Sequence, residues 1–448
     1  MRSVPLPDPA LSNILLLNCL AAVADGDPKA LRRCLGAGLL SLCLHGAWAG
    51  ETPCHLQDVL QRAETSNLDL QSARHAVEAS DADRLTARVT PPTQFSLLTQ
   101  SIDPRHTGGD VWHKPFDTIA RLDHVIERGD KPALRDAVAQ AGQTASQSLL
   151  LDARRSLRLA ATQAYWDLKL AQEQLSTQMH HAELAQESSR LAQLRLQQGD
   201  LSRLEATRLA VEADRAANDV GQARLHLSQA RQQLAQLLHD GTPAADLQAS
   251  DPWPDASASS PQPEDGDPEA WLASRPDVRA AQALLEQAQQ AVVLAQAQRK
   301  ADVTVSVQFE HNPVVADRLW GVGVAVPLGM DDRQQGPVRK ALVLRDEAQT
   351  QLERVQQQAL AERQANLAAL QEARERLQRV NGQLLPQARQ ALTAAEYARQ
   401  QGALGLQDVL DARRSLVAIE LDGASAHADL ARAWFTLHPL LLPTDTSP

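Results

Sequence analysis

Between Pro132 and Pro243 the chain has no proline, and the stretch is built of alanine, leucine, glutamine, arginine and glutamate. Such residues favour helix at every position. A continuous helix of that length exceeds any compact domain, so the run must fold back on itself. The punctuation is at Gly199, in QQGDLSRLEATRLAVE, where Ser202 and Glu205 form the S-x-x-E pattern of a capping box that opens a second helix. The same punctuation returns about two hundred residues later, in QQGALGLQDVLDARRSL, with Gly402 as the break and Gly405 and Asp408 in the places of Ser202 and Glu205. Asp130 and Pro132 read as the capped start of the first long helix, and Pro337 as the start of the second. Pro132 precedes Gly199 by 67 residues and Pro337 precedes Gly402 by 65. Matched lengths point to one helical hairpin present twice, each long arm about 100 Å at ~1.5 Å per residue. Pro386 falls inside the second arm and is expected to bend it.

Composition fits narrow helical seams better than a thick core: aromatic residues make up 3% and apolar residues 43% of the chain. The formal charge of -11 argues against nucleic acid as a partner, since phosphate binding requires a basic patch. Among possible metal ligands, His180 and His181 are adjacent and point to different parts of a helix surface. No His, Cys, Asp and Glu set has the spacing of a closed metal site, so no metal or cofactor is expected. The absence of a phosphate loop and of G-x-S-x-G argues against an enzyme.

Two strand-like runs precede each long arm. In VTVSVQFE, Val303, Val305, Val307 and Phe309 alternate with Thr304, Ser306, Gln308 and Glu310. LWGVGVAVPL follows, with Val322, Val324 and Val326 alternating with small residues. The first copy offers TQFSLLTQSI and FDTIARLDHVI, and the loops SIDPRHTGGDVWHKP and HNPVVADR join the two pairs. Strands are expected at about 93–102, 116–126, 302–310 and 319–328. Four amphipathic strands of about ten residues match a transmembrane β-barrel pattern, in which Val305 and Val307 would face lipid and Thr304 and Ser306 the lumen. Four strands cannot close a barrel, and lipid does not tolerate open edges, so several chains would have to pool their strands. A soluble four-stranded sheet capping a helical bundle fits the same pattern.

Residues 1–49 read as an export segment: Arg32 and Arg33, then CLGAGLLSLCLHG, then an A-x-A site at Ala47, Trp48 and Ala49. Cleavage there would start the mature chain at Gly50. A second apolar run from Ile14 to Val23, followed by Asp25 and Asp27, suggests that translation starts downstream of Met1. Three of the four cysteines, Cys19, Cys34 and Cys43, lie in that segment, and Cys54 remains, thiol or acylated. Leu42 and Pro53 stand where a lipidation signal carries a small residue. The rest divides into a first repeat at 50–240, a linker at 241–270, a second repeat at 271–438 and a tail at 439–448. The mature chain carries no run of ~20 apolar residues of the kind that spans a membrane as a helix.

The helix-strand-strand-helix order is carried by AYWDLKLAQ (164–172), RPDVRAA (275–281), VPLGMDDRQQGPVRKAL (326–342) and YARQQGALGLQDVLDARRSL (397–416). On these motifs the chain resembles a TolC-family outer membrane factor over residues 50–438. The resemblance implies a mainly α fold with a small β part. A homotrimer would pool four strands per chain into a twelve-stranded barrel in the outer membrane of a Gram-negative bacterium, above a periplasmic helical tunnel. It implies a passive duct in a tripartite efflux system, with a periplasmic adaptor, an inner-membrane pump and outer membrane lipid as partners. The tips, Gly199, Asp200, Leu201 and Ser202, with Gly402, Ala403, Leu404 and Gly405, would meet the adaptor. Asp408 and Asp411 match aspartates that ring the narrowest point of the tunnel in TolC, six carboxylates in a trimer. Leu404 stands where TolC has an arginine near the tip, which puts that arginine's lock in doubt here. ERGDKPALRDA (127–137) and the GDLSRLE tip resemble the cobalt-zinc-cadmium resistance branch, implying heavy-metal cargo. Drug export, type I secretion and a periplasmic coiled-coil adaptor or scaffold are the alternatives.

Overall fold

The computed structural model describes residues 52–100, 102, 117–255, 268–312 and 316–437. The account below concerns the unit Pro53–Pro448, together with Thr52 at the start of its first strand. The expected export segment at 1–49, the loop at 103–116, part of the linker (256–267) and the tail at 439–448 lie outside the described residues.

The elements repeat. In the first half, β1 (Thr52–Cys54), α1 (Leu56–Ser66) and α2 (Leu68–Ala87) lead to β2 (Gln94–Gln100), β3 (Asp117–Ile126), α3 (Lys131–Gln198) and α4 (Arg203–Leu238). A 3-10 turn at Ala244–Asp246 and β4 (Leu247–Ala249), which pairs with β1, come between the halves. In the second half, α5 (Pro268–Ser274) and α6 (Pro276–Ala297) lead to β5 (Val303–Asn312), β6 (Ala316–Ala325) and α7 (Met330–Arg379). A π-turn at Val380–Leu384 joins α7 to α8 (Leu385–Gln400), and α9 (Leu406–Leu437) returns.

Helix α3 runs unbroken for 68 residues, about 100 Å at ~1.5 Å per residue. Alanine forms its seam: Ala182 and Ala185 meet Ala213, Ala216 and Val220 of α4. Small side chains on facing stripes let the two axes approach closely, which is how so few large residues hold so long a structure.

The long arms start differently from the expectation. Asp130 precedes α3 in a left-handed conformation (φ 56°), and its side chain makes no capping hydrogen bond. A capping side chain needs an extended backbone beneath it, and the left-handed bend turns the carboxylate away. Pro132 is in the first turn, where its missing N–H costs nothing. Helix α7 starts at Met330, and Pro337 lies inside it rather than at its start. Pro386 stands in the first turn of α8, directly after the π-turn, in which Leu385 N–H reaches back five residues to the Val380 carbonyl. The wider turn gives room where a proline ring would otherwise meet the carbonyl four residues earlier.

The four longer strands form one antiparallel sheet in the order β2-β3-β5-β6. Its register places Phe95, Leu122, Val307 and Val322 in one row, and Leu97, Ala120, Phe309 and Trp320 in the next, all on one face. Thr304, Ser306 and Gln308 lie on the opposite face with Asp123 and Arg121. The apolar face is the open one: Val322 is 80% exposed and Ser306 8%. Gly321 and Gly323 stand opposite Gln308 and Ser306 on the polar face. A Cβ on Gly323 would lie 2.5 Å from Ser306 Oγ, and one on Gly321 2.8 Å from Gln308 Cγ. A side chain at either position would require Ser306 or Gln308 to move.

The sequence motifs occupy joints. Trp166 stacks between Trp253 (5.4 Å) and Phe435 (5.5 Å), bringing early, middle and late parts of the chain together. Tyr165 Oη bonds the Cys54 carbonyl (3.1 Å) and Asp251 Oδ2 (2.8 Å), and Asp167 pairs with Arg432. Cys54 is a buried thiol that accepts from Arg62 Nη1 at 3.5 Å. Arg275 forks onto Asp277 and Glu362, each at 2.8 Å, and lies over the Trp271 ring.

Candidate functional site: the hairpin tips

Both long arms end in the same way. At the first tip Gly199 is left-handed (φ 82°), with Asp200 N–H bonded to Arg195 O (2.9 Å) and Gly199 N–H to Leu196 O (3.1 Å). At the second, Gly402 is left-handed (φ 72°), with Ala403 N–H bonded to Ala398 O and Gly402 N–H to Arg399 O, both 2.9 Å. This double bond pattern closes a helix and needs a positive φ at the glycine, which a side chain would strain.

The returning helices are capped by complementary halves of one device. Ser202 Oγ accepts from Glu205 N–H (3.2 Å), the forward half of a capping box. In the second tip Gly405 has no side chain to offer, and Asp408 Oδ2 instead accepts from Gly405 N–H (3.0 Å), the reverse half. Asp408 is therefore a capping group as well as an exposed charge at the tip.

The two tips differ in what they bury. Leu201 packs on Ala192, Ala206 and Leu209 of its own hairpin and on Leu406 and Leu410 of the other. Leu404, two residues after the matching glycine, is 41% exposed. Gly199, Asp200, Ser202, Gly402, Ala403 and Gly405 are also exposed.

Asp411 lies one turn beyond Asp408 and is exposed. Arg414 holds it at 3.3 Å and also forks onto Glu212 of α4, with Nε to Oε1 at 3.0 Å. Glu212 is buried, and the Arg414 guanidinium holds its carboxyl below the usual range. Arg413 bonds Glu396 (3.3 Å) and Ser188 Oγ (3.4 Å). His181 of α3 is buried nearby; burial pushes its pKa down, and the charge of Arg413 adds to that. This bridge between hairpins was not anticipated from sequence. Glu212 did leave a signal, a carboxylate within the apolar stripe Leu209, Ala213, Ala216 and Val220. Among the described residues, no three His, Cys, Asp or Glu side chains converge as a metal site would require.

An open sheet with exposed apolar rows is thus continued by two helical hairpins far longer than a domain core. Among the described residues no helix is long and apolar enough to cross a membrane. The chain is similar in structure to the outer-membrane channel OprN (TM-score 0.73, 22% identity, 86% of this chain and 88% of that one). It is similar to CusC (TM-score 0.74, 18% identity, 88% and 94%) and to the Campylobacter jejuni CmeC outer membrane channel (0.75, 19%, 86% and 84%). At these identities the likeness shows the fold. In sequence it is 28% identical over 298 residues to the cobalt-zinc-cadmium resistance protein CzcC of Cupriavidus metallidurans, covering 66% of this chain and 68% of that protein. Residues 268–441 match the model of the outer membrane efflux protein family. The second half of the chain thus resembles an outer membrane efflux protein, and the chain shares the fold of solved outer-membrane channels.

Proposed function

We propose that the chain is one protomer of a homotrimeric duct that carries heavy-metal cations from the periplasm across the outer membrane, in series with a periplasmic adaptor and an inner-membrane pump. The observation that carries this reading is the open sheet β2-β3-β5-β6, which exposes Phe95, Leu122, Val307 and Val322 on one face while the other face is more covered in the central strands β3 and β5, down to 8% exposure at Ser306. Its two outer strands need partners if the sheet is to lie in lipid. The order of the helices supports the same solution, since α2, α3, α6 and α7 neighbour one another as β2, β3, β5 and β6 do. The edge made by β2 and α2 on one copy fits against the edge made by β6 and α7 on the next. Head-to-tail pairing of this kind closes into a ring, and three copies supply twelve strands.

Relatedness to CzcC supports metal cations as the cargo. Asp408 and Asp411 suit a constriction that admits cations, with Arg414 tempering the charge of Asp411 and leaving Asp408 as the stronger attraction. The exposed residues of the two tips are the adaptor-docking surface in this reading. The test is deletion of the gene, followed by measurement of cellular cobalt, zinc and cadmium. Metal accumulation restored to normal by the intact chain is expected. A strain that keeps its metal tolerance and loses only drug tolerance would overturn the cargo, and a chain that stays soluble and monomeric would overturn the duct.

A further inference from the structure

The apolar rows of the sheet end at two turns, one joining β3 to α3 (127–130) and the other joining α6 to β5 (298–302). The turns are bound to each other. Arg128 N–H and Lys131 Nζ both donate to Asp302 Oδ1, at 2.9 and 2.7 Å, and Lys131 Nζ also donates to the Lys300 carbonyl (2.8 Å). Gly129 is left-handed (φ 83°), and the stem of Lys300 crosses it, since a Cβ there would stand 2.9 Å from Lys300 Cδ. Arg128 and Lys300 are thereby neighbours on one surface.

The charges in and beside these turns fall into two sets. Lys131 is buried and paired with Asp302, Arg135 forks onto Glu127 (2.5 and 2.9 Å), and Arg84 and Arg88 share Asp136. Arg128 and Lys300 are exposed, and neither side chain makes an ion pair among the described residues. Once those pairs are made, Asp130 is the carboxylate left in the two turns, against the cations Arg128, Arg299 and Lys300. Inner cations neutralised and outer ones left open make a positive surface suited to an anion.

The position of that surface relative to the sheet selects the anion. Exposure alternates along β3: Leu122, His124 and Ile126 are open, Arg121, Asp123 and Val125 less so, and the alternation continues past the strand into Arg128. Arg128 thus leaves on the side of the apolar rows. On β5 those rows run from Val303 to Phe309, about 20 Å at ~3.4 Å per residue, close to the ~25 Å apolar band of an outer-membrane barrel. At one end Phe309 and Trp320 meet edge to face at 5.2 Å, as residues of an aromatic girdle would. The two turns at the other end contain no aromatic residue, and the cations stand there instead. Long basic side chains at the edge of an apolar band carry their charge into the headgroup layer while their stems stay against acyl chains.

We propose that Arg128 and Lys300 bind the phosphate of an anionic phospholipid in the periplasmic leaflet, one headgroup for each protomer. The inference rests on the reading of the sheet as the part of the chain that lies in lipid. Arg128 offers a fork to two phosphate oxygens and Lys300 a compact charge beside it. Ile126 and Val303, paired on the apolar face just above, meet the first methylenes of the acyl chains. Phosphatidylcholine carries the same phosphate under a quaternary ammonium, so its headgroup has no net charge to attract.

The test titrates the full-length channel in detergent with phosphatidylglycerol and with phosphatidylcholine and counts bound lipid by native mass spectrometry. Each variant is also checked for flotation with phosphatidylcholine vesicles. The intact channel should prefer phosphatidylglycerol by about 25-fold, roughly fivefold for each cation. Arg128→Gln and Lys300→Gln should each lower the preference about fivefold and together abolish it. Arg128→Lys combined with Lys300→Arg keeps both charges and should retain most of the preference, which separates lost charge from altered packing. Arg203→Gln, the same change of charge at the far tip, should alter nothing. An intact channel that floats and binds the two lipids equally would overturn the site and leave the duct standing. A preference that survives the double Gln variant, or that Arg203→Gln lowers as much, would overturn it as well. A chain that neither floats nor retains either lipid would overturn the sheet's place in lipid and the site with it.

Discussion

Replacing Asp408 by alanine removes two things, the acceptor for Gly405 N–H and a negative charge. Replacement by asparagine removes only the charge, because its carbonyl oxygen still accepts. Asp408→Ala should therefore cost about 1 kcal/mol of stability, as loss of a cap does, and Asp408→Asn a few tenths. Both should weaken cation preference in planar bilayers to the same degree if the residue lines the constriction. A change in stability alone would mark it as a cap and nothing more. His181 makes a separate, pH-dependent prediction. Its pKa is depressed in the fold by burial and by Arg413, against the opposing pull of Glu212, Asp219 and Glu420. The unfolded chain then binds more protons, so stability falls as pH drops through the ordinary histidine value of 6.5. Glu212 acts in a lower window: its depressed carboxyl stabilises above the ordinary value of 4.5, and that stabilisation is lost as pH falls through its folded value. Thermal melts should show His181→Gln flattening the slope just below 6.5, and Glu212→Gln flattening it only below 4.5.

The sheet is the element whose sequence pattern and structure agree most closely. Alternation in β5 placed Val305 and Val307 on one face, and the register adds Val322, Val324, Phe309 and Trp320 to it. In intact outer membranes, an aqueous maleimide should label Thr304→Cys through the lumen and leave Val305→Cys and Val322→Cys unlabelled. Val322→Arg should cost about 2–4 kcal/mol of membrane folding if it lies at mid-depth, read by urea titration in lipid vesicles. Close approach on the polar face gives a sharper test of register. Gly323→Ala should lower the yield of assembled channel because its Cβ meets Ser306 Oγ, and Ser306→Gly should restore it. A yield unchanged by Gly323→Ala would show that Ser306 Oγ turns away without cost.

For the whole molecule the prediction concerns how copies join. If β2 of one copy pairs with β6 of the next, cysteines on matching faces, such as Phe95→Cys scanned against Trp320→Cys, Val322→Cys and Val324→Cys, should form a covalent ladder ending at three chains. Pairs on opposite faces, such as Phe95→Cys with Gly323→Cys, should form none, because side chains two faces apart cannot meet through the sheet. Covalent products that stop at two chains would exclude a closed ring of three.

What the sequence determined by itself is what depends on neighbours a few residues away. Helix-forming runs, the left-handed glycines Gly199 and Gly402, the Ser202 cap and the two-residue alternation of β5 are all local, and local pattern suffices to specify a hairpin and an amphipathic strand. Duplication was legible for the same reason, since two copies of a local pattern can be compared without knowing how either folds. Tertiary structure decided what depends on distant partners. Asp130 looks like a cap until the chain's path bends it left-handed, and Pro337 looks like a helix start until α7 is found to begin at Met330. The π-turn is a register adjustment before Pro386, and nothing in VNGQL names it. Glu212 and Arg414 are 202 residues apart, and Trp166 and Phe435 stack across most of the chain. The strength of such contacts depends on burial and on the meeting of surfaces, and a linear pattern carries neither.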